Sequence, residues 1–127
     1  MYKYKIENSD GITLTFTKEN EIEFELARLK NEPDYFIIVE STPQIENINF
    51  IQVANNSHYK GLFKKRLTES YHIEMCVTNS AGTKQIYANP KNNSTFEDTK
   101  KIITDYITLQ KTPDYLNWGH VLDIADM

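Results

Sequence analysis

The sequence predicts an α+β fold, a mostly antiparallel sheet of about five to six strands with two main helices packed on it. Three observations point there. Short alternating or apolar stretches follow one another through residues 34–89 with mostly short connections, which suits antiparallel neighbours rather than parallel strands joined by crossover helices. One amphipathic stretch precedes this strand block and a second follows it. The 127 residues suit one domain, 1–127, long enough to bury a core without staples.

Residues 2–6 and 12–16 alternate around "NSDG" (Asn8–Gly11), where Asp-Gly supplies positive φ cheaply, so they read as a β-hairpin. "TKENEIEFELARLKNE" follows. Thr17 can cap it, Glu19 and Glu21 suit a helix N-terminus, and Ile22, Leu26 and Leu29 recur at helical spacing. The glutamates at 19, 21, 23 and 25 also fit a strand, but Ala27-Arg28-Leu29-Lys30 decides for helix, and Pro33 ends it. "DYFIIVES" (34–41) is a continuous apolar run, the mark of a central strand covered on both faces. In "NINFIQVAN" (47–55), alternation puts Ile48, Phe50, Gln52 and Ala54 on one face and Ile51 and Val53 on the other. Residues 55–70 lack a clean period and read as a long loop with room for a short helical turn. "YHIEMCVT" (71–78) and "TKQIYAN" (83–89) form a hairpin around "NSAG". Ser94 with Glu97 makes a capping-box pattern ahead of a helix whose stripe is Phe96, Ile103, Tyr106 and Ile107. The closing "TPDYLNWGHVLDIADM" reads as a turn around Tyr115 and Trp118 and a tail of weak structure.

Composition narrows the class. The formal net charge is −4, against the basic field that nucleic-acid binders carry, so the interleaved "HYKGLFKKRL" is a weak signal for nucleic acid. Acidic residues crowd the first third and the end, while Lys60, Lys64, Lys65 and Arg66 sit in the middle; each run is a solvated face or a patch that steers a partner of opposite charge. The single cysteine cannot form an internal disulfide. The N-terminal stretch has no apolar core of the signal-peptide kind, and no apolar run approaches the roughly 20 residues that span a bilayer. The expectation is a cytoplasmic domain, with no membrane and no nucleic-acid partner.

Templates for chemistry are poorly filled. One Cys and three His (His58, His72, His120) lie at no metal-ligand spacing, and His72 and Cys76, four apart on a strand, are separated by about 13 Å. Cys76 between Met75 and Val77 reads as a buried, inert thiol. The four glycines are scattered singly, so no phosphate loop exists, and no serine sits at a Gly-bounded elbow. No cofactor, metal site or catalytic residue is expected. One acid–base pair remains. His72 and Glu74 share a strand face with Cβ atoms about 6.5–7 Å apart. Gln52, a polar interruption of an apolar face, needs partners and is expected to satisfy backbone groups or Glu74. Trp118 reads as a lid over the sheet or as an exposed anchor.

Several stretches together resemble immunity proteins of bacterial polymorphic toxin systems, and within them the immunity-protein family numbered one. They are "FIIVES" as a central strand, "NFIQVAN" with its aromatic-Ile-Gln core, "YHIEMCV" with Glu74 at the family's strand glutamate, "KQIYAN", a capped helix and the aromatic "YLNW". The likeness spans roughly residues 34 to 124. It departs where Met75 and Cys76 follow the glutamate and where Gly119 and His120 follow Trp118. The resemblance implies a small, non-catalytic α+β protein that binds and neutralises a cognate toxin, such as a nuclease or deaminase, by direct contact. Expected toxin-binding residues are Glu19, Glu23, His58, Tyr59, Lys64, Glu74 and Trp118, with Gln52 and Glu74 as structural polar groups. The competing expectation is a small enzyme or ligand-binding domain with a sheet-face pocket around His72, Glu74 and Gln52. Monomer and homodimer both stay open, the latter by edge-strand pairing.

Overall fold

In the computed structural model, the described residues are 2–17, 22–60, 66–89, 94–114 and 118–124, with 58–60, 66–68, 120–122 and 124 described by backbone alone. Among the described residues, nine strands and two helices run in the order β1 (Lys3–Asn8), β2 (Thr13–Phe16), α1 (Glu23–Asn31), β3 (Phe36–Thr42), β4 (Ile48–Asn55), β5 (His58–Lys60), β6 (Arg66–Thr68), β7 (Tyr71–Thr78), β8 (Lys84–Ala88), α2 (Phe96–Thr108) and β9 (Gly119–Ile124). Seven of the strands make one sheet, ordered β2-β1-β3-β4-β7-β8-β9, and β5 pairs with β6 in a separate ribbon. Every strand pairing among the described residues is antiparallel. The α+β class is as the sequence predicts.

Two hairpin turns use one local device. In "NSDGI" the Asn8 Oδ1 accepts from the amides of Asp10 (3.0 Å) and Ile12 (3.1 Å), and in "NSAGT" the Asn79 Oδ1 accepts from Ala81 (3.0 Å) and Thr83 (2.9 Å). Each loop puts its glycine in the left-handed region, Gly11 at φ 76° and Gly82 at φ 83°, where a side chain would be strained. The asparagine thus supplies acceptors for amides that the tight turn leaves unpaired.

Both helices cover the same sheet face. Ile22, Leu26 and Leu29 of the first helical region and Phe96, Ile103, Tyr106 and Ile107 of α2 join Tyr4, Ile6, Ile37, Val39, Ile51, Val53, Ile73, Met75 and Val77 in one buried cluster. On each strand these are alternate residues, as a pleated sheet with one covered face requires. α2 is docked at its C-terminal end by Tyr4, whose hydroxyl donates to the Ile107 carbonyl at 2.8 Å.

The structure departs from expectation at five places. β3 is central but not covered by helices on both faces among the described residues: Ile37 and Val39 lie in the core, while Phe36 and Ile38 are half-buried on the other face. Residues 58–60 and 66–68 are strands of a ribbon rather than loop or helical turn. The closing segment 119–124 is not weakly structured but adds β9 to the sheet's edge, because β8 offers it an unpaired side. A register shift between Ile48 and Phe50 turns Ile48 to the helix-covered face opposite Val77, so Ile48 does not share a face with Phe50. The cap of α2 is Thr95, whose hydroxyl accepts from the Asp98 amide at 3.1 Å, while Ser94 is buried and bridges to Tyr71. The Thr17 cap and Glu19 concern a segment whose 18–21 lie outside the described residues; Ile22 stands at the N-cap of α1 without a side-chain cap.

Candidate functional site

The second face of the sheet carries no helix among the described residues, since both helices bury into the first. Register places its residues in cross-strand rows. One row runs Glu7, Ile38, Gln52, Glu74, Ala88. A neighbouring row runs Phe50, Cys76, Ile86 and on to β9 at Leu122. On the other side lie Phe36, Ala54 and His72. Phe36, Ile38, Phe50, Gln52, Ala54 and Glu74 are all half-buried. The sheet interior therefore presents an apolar surface bordered by Glu7, by the Lys5–Glu40 ion pair (3.3 Å) and by His72.

His72, Glu74 and Cys76 do share this face. His72 Nε2 and Glu74 Oε1 are 2.6 Å apart, with side chains 45% and 28% exposed. Gln52 faces Glu74 directly across the strands. The bond that Glu74 makes is nonetheless along its own strand, to His72, rather than across to Gln52. Cys76 belongs to the same face but not to the same chemistry. It is fully buried between its longer neighbours Phe50 and Ile86, and burial pushes its thiol pKa up, partly offset by the Asn49 side-chain amide (3.6 Å from Sγ) and Lys84. A buried thiol held protonated is a poor nucleophile. Among the described residues, no group of three or more His, Cys, Asp or Glu could hold a metal ion.

The other expected contact residues do not converge on this face. Glu23 is exposed in the first turn of α1, which is packed on the opposite side. His58 and Tyr59 lie on the β5–β6 ribbon, described by backbone alone, and Glu19 and Lys64 lie outside the described residues. Trp118 is half-buried against the helix-side core, the lid arrangement rather than a free anchor. The residues that sequence reading passed over are Phe36, Ile38 and Ile86. Their signal was present, since a run such as "FIIVE" is apolar at both parities, and a single layer of helices covers only one.

A second feature went unread. Glu25, only 2% exposed, lies inside the first helix layer. Its Oε1 accepts from Asn8 Nδ2 at 3.2 Å and its Oε2 accepts from the Tyr35 hydroxyl at 2.5 Å. Arg28 stacks over the Tyr35 ring at 4.4 Å and reaches Asp10 at 2.8 Å and Glu32 at 2.6 Å. Burial, then the Glu25 carboxyl, pushes the Tyr35 hydroxyl well above the usual phenol range. The network joins the first hairpin turn to α1 and β3, and solvent reaches only its Arg28 end. It holds structure rather than substrate.

The cavities described lie elsewhere again, along α2. One of about 290 Å³ is lined by Lys101, Ile102, Asp105, Lys111, Thr112 and Pro113. No helix among the described residues is long and apolar enough to cross a membrane. Comparison of the chain with protein-family models, curated proteins and solved structures finds no significant match.

Proposed function

We propose that this protein is an immunity protein that binds a cognate toxin domain and neutralises it by direct contact, without catalysis. The observation that carries the proposal is the half-buried apolar face of the sheet, with Phe36, Ile38 and Phe50 around Gln52 and Glu74. A contiguous apolar surface rimmed by polar groups is costly to leave in water, which supports a reading in which another molecule covers it. Aromatic side chains are the usual anchors of tight protein interfaces, and the carboxylates of Glu7 and Glu40 on the rim and of Glu74 within it suit a basic partner such as a nuclease site. The resemblance of "NFIQVAN" and "YHIEMCV" to the immunity-protein family numbered one supports the same reading, with Glu74 at the family's strand position.

The test is co-expression with the product of the adjacent upstream gene. Co-purification and rescue of growth support the proposal, and Gln52→Arg or Glu74→Arg should weaken the complex about 30-fold or more, the loss of about 2 kcal/mol at a central position. A neighbour that is no toxin, together with failure to rescue any toxin, removes the proposal. The alternative, a small enzyme or ligand-binding domain, draws on the His72–Glu74 contact at 2.6 Å. It requires turnover or ligand binding that Glu74→Gln abolishes without loss of stability.

A further inference from the structure

β2 lies at one edge of the sheet. Natural edge strands are guarded against pairing by charged side chains, proline or bulges. The stretch Gly11–Thr17, "GITLTFT", contains no charge and no proline. Its register with β1 has no irregularity, from Glu7↔Thr13 to Tyr4↔Phe16. Ile12 is 50% exposed and Leu14 40% exposed, both on the side that bears the core, next to buried Phe16.

The hydrogen bonds say which groups point outward. Asn8 donates its amide to the Ile12 carbonyl at 3.1 Å. In an antiparallel ladder that sets the alternation, so Ile12, Leu14 and Phe16 face β1, while Thr13 and Thr15 turn their amides and carbonyls away from the sheet. Among the described residues no strand meets that outer side.

We infer that this edge pairs with the same edge of a second copy, antiparallel and about a two-fold axis through Leu14. The occupant is argued from the strand's own sequence. "ITLTF" reads nearly the same in both directions about Leu14, so self-pairing sets Thr13 opposite Thr15 and Ile12 opposite Phe16. Threonine pairs and apolar pairs are both favourable across strands, and no like charges meet. Thr13 and Thr15 then exchange about four backbone hydrogen bonds with their counterparts. Leu14 meets its own copy at a non-hydrogen-bonded position, where Cα atoms approach to about 4.5 Å and side chains are closest. One patch serves both partners, as an isologous dimer requires, and two seven-stranded sheets become one. This pairing does not use the second sheet face, so it is independent of the proposed function.

Light scattering of the purified chain should give twice its 14.9 kDa mass. Leu14→Lys, which sets two charges together on the axis, should return it to the single-chain mass with circular dichroism unchanged. Thr13→Pro is a second such variant, because the amide it removes points away from β1 and serves no bond among the described residues. Should both variants misfold, cysteine scanning decides. Leu14→Cys should form a disulfide-linked dimer on mild oxidation and Ile12→Cys should not, with buried Cys76 silent in both. A wild-type chain that stays at 14.9 kDa up to its solubility limit overturns the inference. So does a dimer that survives both variants with their folds intact, or cross-linking at Ile12 as readily as at Leu14. Protection of the Thr13 and Thr15 amides only when a toxin is bound overturns it in favour of a strand donated by that partner.

Discussion

Removing one hydroxyl, in Tyr35→Phe, should destabilise the protein by about 1–3 kcal/mol, the cost of leaving a buried polar group unpaired. The size follows from how little freedom the neighbours have. Asn8 cannot flip its amide to compensate, because its Oδ1 already accepts from the amides of Asp10 and Ile12 at 3.0 and 3.1 Å. Its Nδ2 must therefore point at Glu25, and Glu25 Oε1 is committed to it at 3.2 Å. Oε2 is left with the Tyr35 hydroxyl, and the residue is too buried for solvent to replace it. Glu25→Leu should cost more, since it strands two donors, the Asn8 amide and the Tyr35 hydroxyl. In Glu25→Leu/Tyr35→Phe one of those donors is gone as well, so the double variant should be more stable than the sum of the single losses by about 1 kcal/mol or more. Urea denaturation, with the midpoint read at constant slope, measures all three. A Tyr35→Phe protein within about 0.5 kcal/mol of wild type, the range of a neutral surface substitution, or strict additivity in the cycle, would refute the claim that these groups depend on one another.

Three further outcomes are expected. Stability should fall as pH rises through about 9–10: burial raises the pKa of Cys76 above its ordinary 9.0 and those of Tyr35, Tyr71 and Tyr106 above 10.0, so the unfolded chain loses these protons first. Each group adds a slope of up to about 1.4 kcal/mol per pH unit, and Tyr106→Phe should flatten the alkaline limb of a thermal-melt series. Thr95→Ala should cost about 1 kcal/mol through loss of the α2 cap. Ile51→Ala, at a fully buried position beneath the helices, should cost about 2–5 kcal/mol in the same denaturation assay.

What the sequence made legible was what short-range physics decides. Both hairpin turns were readable from asparagine and glycine at fixed offsets, and the two helices from the spacing of Leu26 and Leu29 and of Ile103, Tyr106 and Ile107. Where a side chain's setting depends on distant chain, the pattern failed. "GHVLDI" is no stronger a strand former than many tails; it becomes one because β8 has a free edge. Ser94 satisfies the capping pattern as well as Thr95, but a bridge to Tyr71 holds it outside the helix. Ile48 keeps perfect alternation with Phe50 in the sequence, and a single bulge at Asn49 overrides it, fixed by Asn49 bonding Thr78 at 2.8 Å. Glu25 was hidden for the opposite reason. In a run of alternating glutamates it looks like any solvated charge, and only the fold brings Asn8 and Tyr35 to it.

The helix-covered face also fixes the register of the second face, which the proposed function takes as the binding surface. Ile37, Val39, Ile51, Val53, Ile73 and Met75 are each wholly buried. A one-residue slip of β4 or β7 would carry Gln52 or Glu74 into that core and expel Ile51 or Met75, since successive side chains alternate faces. Each expelled side chain would cost about 1.5–3 kcal/mol in lost burial alone, before the buried polar group is counted. The register of Ile38, Gln52 and Glu74 is therefore locked from beneath. Backbone order on the open face is already established by folding, and Glu74 is further held by His72. A partner that covered this face, as proposed, would meet a backbone already ordered, which lowers the ordering cost of binding. The same locking means that a charge placed at Gln52 cannot be accommodated by sliding the strand. In the proposed complex it would have to stay in the interface or expel the partner.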